Sequence, residues 1–170
     1  MVSSPARGMV LRVVGADDWP VWRELRLASL TDAPEAFWST LADWSGPNDT
    51  EARWRERLST TPFNLVAEVD GVAVGMVSAG EPWEGGADSE VELASMWVAP
   101  GGRGQGVGDA LIEAVVDWAR EQGFGRLVLW VRQGNARAVS LYERSGFVDD
   151  GVEPDPGDSF PARRMSRSVR

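Results

Sequence analysis

The 170-residue chain predicts one mixed α+β domain built on a central mixed sheet of about seven strands. Three observations carry that expectation. Short β-branched runs interleave with segments of helical spacing. Asp70-Gly71 joins two such runs and is the strongest short hairpin signal a sequence offers. Between Val91 and Val131 a strand, a glycine-rich turn, an amphipathic helix and a second strand follow one another, which requires a parallel crossover. The resulting order is β-α-α-β-β-β-α-β-α-β-β over residues 9–170, after a loose tail at 1–8.

Val10 to Val14 reads as the first strand. Asp17-Asp18 is placed to cap a helix with Pro20 in its first turn. Its apolar stripe is Val21, Leu25 and Ala28, widened by Trp22 and Leu27. Thr31 to Asn48 is mixed, with Pro34, Gly46 and Pro47, and holds a short helical piece and a loop. Thr50 caps a second helix through Leu58. Leu65–Val69 and Val72–Ser78 form the hairpin, and Glu81 to Ser89 is a loop. Val91–Val98 is the fourth strand, ended by Pro100. The third helix runs from about Gly106 to Gln122, with Val107, Ala110, Leu111, Ala114, Val115 and Trp118 at i, i+3, i+4 spacing and Gly123 past its end. Leu127–Val131 is almost wholly apolar, as in a strand covered on both faces. Asn135 caps a fourth helix that stops at Gly146. Phe147-Val148 and Met165–Val169 are short closing strands around a polar loop, Gly151 to Pro161.

Composition narrows the chemistry. Cysteine and histidine are absent, which removes disulfides, a thiol nucleophile, a Cys-based metal site and the usual general base. Every one of the 17 basic side chains is arginine, so Schiff-base chemistry and a P-loop lysine are excluded as well. The net charge of −9 argues against sequence-independent binding to nucleic acid or anionic membrane. No signal-peptide core and no run of membrane-span length is present, and a cytoplasmic protein is expected. The all-arginine, Ala- and Gly-rich usage points to a GC-rich bacterial genome.

The chemical centre of the sequence is Arg103-Gly104-Gln105-Gly106-Val107-Gly108. Glycines let backbone N–H groups approach a phosphate without Cβ atoms in the way. The helix that follows adds unpaired N–H groups and the positive end of its dipole. Arg103 adds a forked cation. Such a turn suits a pyrophosphate, as in a nucleotide-like cofactor.

In its R-x-x-G-x-G (Arg103, Gly106, Gly108), the chain resembles the GCN5-related N-acetyltransferase (GNAT) superfamily. The preceding run Leu93-Ala94-Ser95-Met96-Trp97-Val98-Ala99-Pro100 is similar to that family's fourth strand. Asn135-x-x-Ala138-x-x-Leu141-Tyr142-x-x-x-Gly146-Phe147 is similar to its second hallmark. The resemblance implies acetyl-CoA-dependent transfer to an amine, without a metal. It also implies that strands four and five splay and that the pantetheine arm inserts between them. The N–H groups of Gln105, Gly106, Val107 and Gly108 would then hold the pyrophosphate. Backbone groups around Trp97, at Met96 and Val98, would meet the acetyl and pantetheine portions. Asn135 would bond the arm, and Arg103, with Arg144 beyond Tyr142, is a candidate for the phosphates.

With no cysteine available, direct transfer in a ternary complex is expected. Tyr142, the only tyrosine, sits at the family's catalytic tyrosine position and suits the role of general acid. It would equally pack on an apolar helix face. Glu92 is the candidate base, since period-two alternation puts it on one face with Ala94, Met96 and Val98; Glu90 or water is the alternative. Trp22, Trp118 and Trp130 fit core faces, while Trp38, Trp44 and Trp83 would border the acceptor cleft. Glu81, Glu84, Asp88, Asp149, Asp150, Glu153, Asp155 and Asp158 form either a negative mouth for a cationic substrate or an ordinary acidic surface. The acceptor is expected to be a small-molecule or peptide amine. The alternatives are a protein N-terminal or lysine acetyltransferase and a non-catalytic acyl-CoA binding module. Many relatives of this kind dimerise, so a homodimer is compatible with the resemblance.

Overall fold

The computed structural model describes residues 8–82, 89–154, 156–157 and 160–170. Seven strands form one sheet in the order β1-β2-β3-β4-β5-β7-β6. They are β1 (Met9–Val13), β2 (Phe63–Val69), β3 (Val72–Gly80), β4 (Glu90–Val98), β5 (Arg126–Arg132), β6 (Val148–Asp149) and β7 (Ala162–Ser168). The helices are α1 (Trp19–Asp32), α2 (Leu41–Trp44), α3 (Glu51–Thr60), α4 (Val107–Glu121) and α5 (Ala136–Arg144). The order matches the expected one, with most strand ends shifted by one to three residues. Among the described residues no helix is long and apolar enough to cross a membrane.

The hairpin closes at Asp70-Gly71, both with positive φ (51° and 81°), and pairs Val69 with Val72. Among the described residues β4 and β5 are the single parallel pair, linked by α4 as the crossover rule demands. α4 buries Val107, Leu111, Ile112, Val115, Val116 and Ala119 against one sheet face, together with Leu65, Val77, Leu93 and Leu129. Each of those branched side chains contributes about 1.5–3 kcal/mol of burial. Gly75 in β3 lets α4 approach: a Cβ there would sit 3.0 Å from both Leu111 Cδ1 and Val107 Cγ1. The other face carries α1 and α3, whose Trp22, Leu30, Trp54 and Leu58 pack on Val66, Met76 and Trp97.

Three local expectations are corrected. Asp18 does not cap α1 with its side chain; its Oδ2 accepts from the Gly15 N–H (2.9 Å) and opens a 3₁₀ turn, Ala16–Asp18, that runs into α1. The buried stripe of α1 is Trp22, Leu25, Arg26, Ser29 and Leu30, with Ala28 exposed. The helix is rotated about one position from its apolar pattern because a cation and a hydroxyl face the sheet. Thr31–Asn48 holds α2 and two 3₁₀ turns, Pro34–Ala36 and Gly46–Asn48, rather than one helical piece. Thr50 caps α3 as expected, accepting from the Arg53 N–H at 3.3 Å.

Candidate active site

The site is created by a gap in the sheet. β4 and β5 pair only at Glu90 with Arg126, Val91 with Leu127 and Glu92 with Val128. Beyond those three pairs the strands splay as expected. A bulge in β4 accompanies the splay. Ser78 faces Ala94 and Met76 faces Trp97, so Ser95 and Met96 together oppose Val77 alone. Ser95 takes the left-handed conformation (φ 53°). The extra residue exchanges the faces of the strand. Val91 and Leu93 belong to the α4-side core, and past the bulge it is Met96 and Val98 that pack there while Trp97 turns to the α1 side. Glu92 therefore stands on the face opposite Met96 and Val98, correcting the simple period-two reading.

Two cavities meet at the gap. One, about 1060 Å³, is lined by the glycine turn, the start of α4, and α5. The other, about 650 Å³, lies on the α1–α3 side and is lined by Phe37, Trp38, Trp44, Glu92 and Trp130 among others. Met96, Asn135, Ala138 and Tyr142 line both.

The glycine turn is built for close approach. Gly104 and Gly106 have φ of 76° and 79°, and Gly106 stands at the N-cap of α4. A Cβ on Gly108 would lie 3.0 Å from Leu141 Cδ2, so this glycine lets α5 pack closely on α4. The amides of the first turn of α4 have no intrahelical acceptors and carry the positive end of its dipole. Arg103, Gly104, Gly106, Val107 and Gly108 line the larger cavity. Gln105 does not; its side chain donates to the Gly101 carbonyl at 2.9 Å. These residues fit a pyrophosphate.

Two arginines near the turn are already engaged. Arg103 donates from Nε to the Val98 carbonyl (3.1 Å) and from Nη2 to Asp32 (2.8 Å). Asp32 also accepts from the Trp97 indole at 3.1 Å, and these contacts, the indole first, hold its carboxyl below the ordinary range. The Trp97 ring is buried on the α1 side, which leaves only its backbone to the gap. Arg144 pairs with Asp109 in the first turn of α4 (3.2 Å).

Tyr142 is buried at the junction of the two cavities and meets Phe147 edge-on, with ring centroids 5.8 Å apart. Burial pushes its phenol pKa well up, so the group is protonated throughout the neutral range. Its hydroxyl forms no hydrogen bond among the described residues, so the packing role leaves the polar end unused. Asn135 caps α5, its Oδ1 accepting from the Ala138 N–H at 3.3 Å, and leaves the amide NH₂ as donor. Glu90 is tied to Arg164 (2.9 Å) and lines neither cavity.

Trp38 and Trp44 border the smaller cavity, and Trp130 joins them instead of entering the core. Trp22 is core, and Trp118 stacks on Phe63 at 4.8 Å. Of the acidic mouth, Glu81, Asp149, Asp150 and Glu153 line neither cavity; Asp149 and Asp150 pair with Arg163 and Arg164. Trp83, Glu84, Asp88, Asp155 and Asp158 lie outside the described residues.

Sequence reasoning missed Arg26 and Arg57, which line the smaller cavity. Burial lowers both guanidinium pKa values to about 10, and for Arg26 the neighbouring Arg57 charge adds to the effect. The signal for Arg26 was its place at i+4 between Trp22 and Leu30, on the face that meets the sheet.

Comparison with known proteins agrees with this architecture. A model of the acetyltransferase (GNAT) family matches residues 22–147. An L-methionine sulfoximine/L-methionine sulfone acetyltransferase of Pseudomonas aeruginosa is 34% identical over 101 residues, 58% of this chain and 58% of that protein. The chain spans about half the length of the first curated relatives it matches. A GCN5-related N-acetyltransferase structure from Kribbella flavida superposes with a TM-score of 0.73 at 25% identity, covering 95% of this chain and 98% of that one. A Salmonella typhimurium structure with its cofactor acetyl-CoA gives 0.74 at 24% identity, covering 95% and 94%. From Trp22 in the α1-side core to Phe147 after α5, the matched region takes in the split sheet, the glycine turn and Tyr142, and the chain belongs to the GNAT acetyltransferase family.

Proposed function

We propose that the chain is an acetyl-CoA-dependent N-acetyltransferase acting on a primary amine of a small molecule, by direct transfer in a ternary complex. The observation that carries this reading is Tyr142, which lines both cavities at the split between β4 and β5. In this reading the larger cavity takes the donor. The amides at Gly106, Val107 and Gly108 hold its pyrophosphate, and Asn135 and the backbone of Met96 hold its arm. The smaller cavity takes the acceptor. The P. aeruginosa relative, named for small molecules, supports an acceptor of that size.

When bound, acetyl-CoA supplies a thioester whose carbonyl carbon accepts the amine lone pair, forming C–N and breaking C–S with the electron pair left on sulfur. Tyr142 gives its proton to that sulfur and regains one from solvent. Glu92, in the acceptor wall, receives the proton shed by the amine nitrogen, directly or through water. The net result is one proton moved from nitrogen to sulfur. Glu92→Gln tests this role, since transfer to Glu92, direct or relayed, makes the acidic limb of the rate profile depend on that carboxylate, whereas loss of the proton to bulk water does not.

The test is thiol release from acetyl-CoA across a panel of amines, with acetyl-CoA affinity measured by calorimetry in parallel. The chain has no cysteine, so the colour reports CoA alone. Amine-dependent release supports the transferase. Tight acetyl-CoA binding with no release for any amine supports an acyl-CoA binding module instead.

A further inference from the structure

The smaller cavity carries cationic charge that the protein leaves unmatched at one group. Arg26 is 8% exposed, and its Nη1 is buried without a hydrogen-bond acceptor. The guanidinium stacks on Phe37 at 4.6 Å and makes neither hydrogen bond nor ion pair among the described residues. Arg57, the second cation of the wall, is held by neutral groups: Thr61 Oγ1 (2.6 Å), Asn64 Oδ1 (3.1 Å), Ser78 Oγ (3.0 Å) and Ser95 Oγ (3.3 Å). No carboxylate among the described residues pairs with either. Even lowered to about 10, both pKa values leave the groups charged at neutral pH.

A buried charge without a partner is strongly unfavourable. A methionine at the same helical position would fill the space without that penalty, so packing alone does not account for Arg26. Two carboxylates also belong to this wall. Asp43, in the first turn of α2, accepts from the Thr40 N–H at 2.7 Å, and Glu92 stands on β4. Cations and anions in one wall complement a zwitterion. Arg57 already has both terminal nitrogens engaged, so Arg26 is the guanidinium that remains to be matched, and that calls for a monoanion.

We propose that the acceptor is an amine that also bears a carboxylate, a free amino acid in chemical class. Its carboxylate is seated on Arg26 with Arg57 behind it, and its amine is turned towards Glu92. The inference rests on reading this cavity as the acceptor site. Of the two readings of the acidic loop residues, it speaks against a negative mouth for a cationic substrate, because the wall holds two arginines and the described loop acids line neither cavity.

The experiment measures binding and turnover separately. Calorimetry on the CoA-saturated protein compares free L-amino acids, L-methionine sulfone included, with their primary amides. For at least one pair the acid should bind on the order of tenfold or more tightly than the amide, as one charge-assisted hydrogen-bond set provides. Arg26→Met should abolish that preference and raise Tm, since it removes a buried unpaired charge; Arg26→Lys should keep part of the preference. Acid and amide binding equally, no acid binding, or a preference that survives Arg26→Met overturns the proposal. The wild-type comparison stands even if a variant fails to fold. Thiol release distinguishes the two readings. Equal turnover of acids and amides sinks the carboxylate site and keeps the transferase. Arg26-dependent binding without thiol release keeps the site and sinks the transferase.

Discussion

Replacing Tyr142 by phenylalanine removes one oxygen and leaves the packing. The ring keeps its edge contact with Phe147, and no hydrogen bond within the described residues is lost. Stability at neutral pH should therefore change by less than about 0.5 kcal/mol, a Tm shift of roughly 2 °C or less for a chain of this size. Catalysis should respond differently. A positioned proton donor contributes about 10²–10⁴-fold, and a phenol whose pKa is raised by burial is a weak acid, which sets the expected loss near the lower end, ~100-fold in kcat. That loss corresponds to about 2.7 kcal/mol of barrier. The KM for acetyl-CoA should stay unchanged, because the glycine turn is untouched. The raised pKa adds a second signature. Above the ordinary value of 10 the unfolded chain loses this proton and the folded one retains it. The wild type therefore loses about 1.4 kcal/mol of stability per pH unit from this group as pH rises past that value. The phenylalanine variant lacks the loss and should become the more stable protein at alkaline pH. Thiol release and thermal melts over a pH series measure both effects. Unchanged kcat, or a melting difference that ignores alkaline pH, would refute the reasoning.

Three further outcomes follow from the geometry. Gly106→Ala forces a Cβ into the left-handed conformation at φ 79°, about 1–2 kcal/mol of strain, and should weaken acetyl-CoA binding in calorimetry while sparing kcat at saturating donor. Gly75→Ala places a methyl 3.0 Å from Leu111 and Val107, which are fully buried; a loss of about 1 kcal/mol is expected, seen as a Tm lower by ~2–4 °C with acceptor KM unaltered. Asp32→Asn removes a carboxylate whose folded pKa lies below its ordinary 3.8, chiefly through the Trp97 indole. The stability that Asp32 contributes is present above that value and lost as pH falls through the folded pKa, so the Tm gap between wild type and variant should close in strongly acidic solution. A gap that stays constant with pH would remove this carboxylate from the linkage.

Much of this fold was legible because local signals agreed with one another. The Asp70-Gly71 turn, the spacing of α4 and the Gly106 and Asn135 helix starts each have a short-range cause, and each element lies where its cause put it. The failures share a different origin. The face switch in β4 arises from two residues opposing Val77, a relation between strands that no single run of sequence displays. Alternation read through Ser95 therefore gave the wrong partners for Glu92. The rotation of α1 and the entry of Trp130 into the cavity wall have the same character, since which face is buried depended on what the sheet offered. Arg26 was overlooked because a charged side chain is ordinarily read as solvated, and here it sits on the buried face. Of the site residues, the glycine turn and Tyr142 stand together at the gap, while Arg103 and Arg144 are engaged by Asp32 and Asp109.

The split sheet has a consequence for cohesion. Past Glu92 and Val128 the hydrogen-bond ladder across the middle of the molecule stops, leaving β1–β4 on one bank and β5–β7 on the other. Below the split, α4 spans the two banks as the parallel crossover. An extended ligand lying in the opening would meet strand edges on both sides and act as a temporary rung. Its occupancy would tie the banks together, so amide exchange near Met96 and Leu129 should slow with donor binding more than exchange in the β2–β3 hairpin. The weakest seam of the protein would then be the one its own substrate mends.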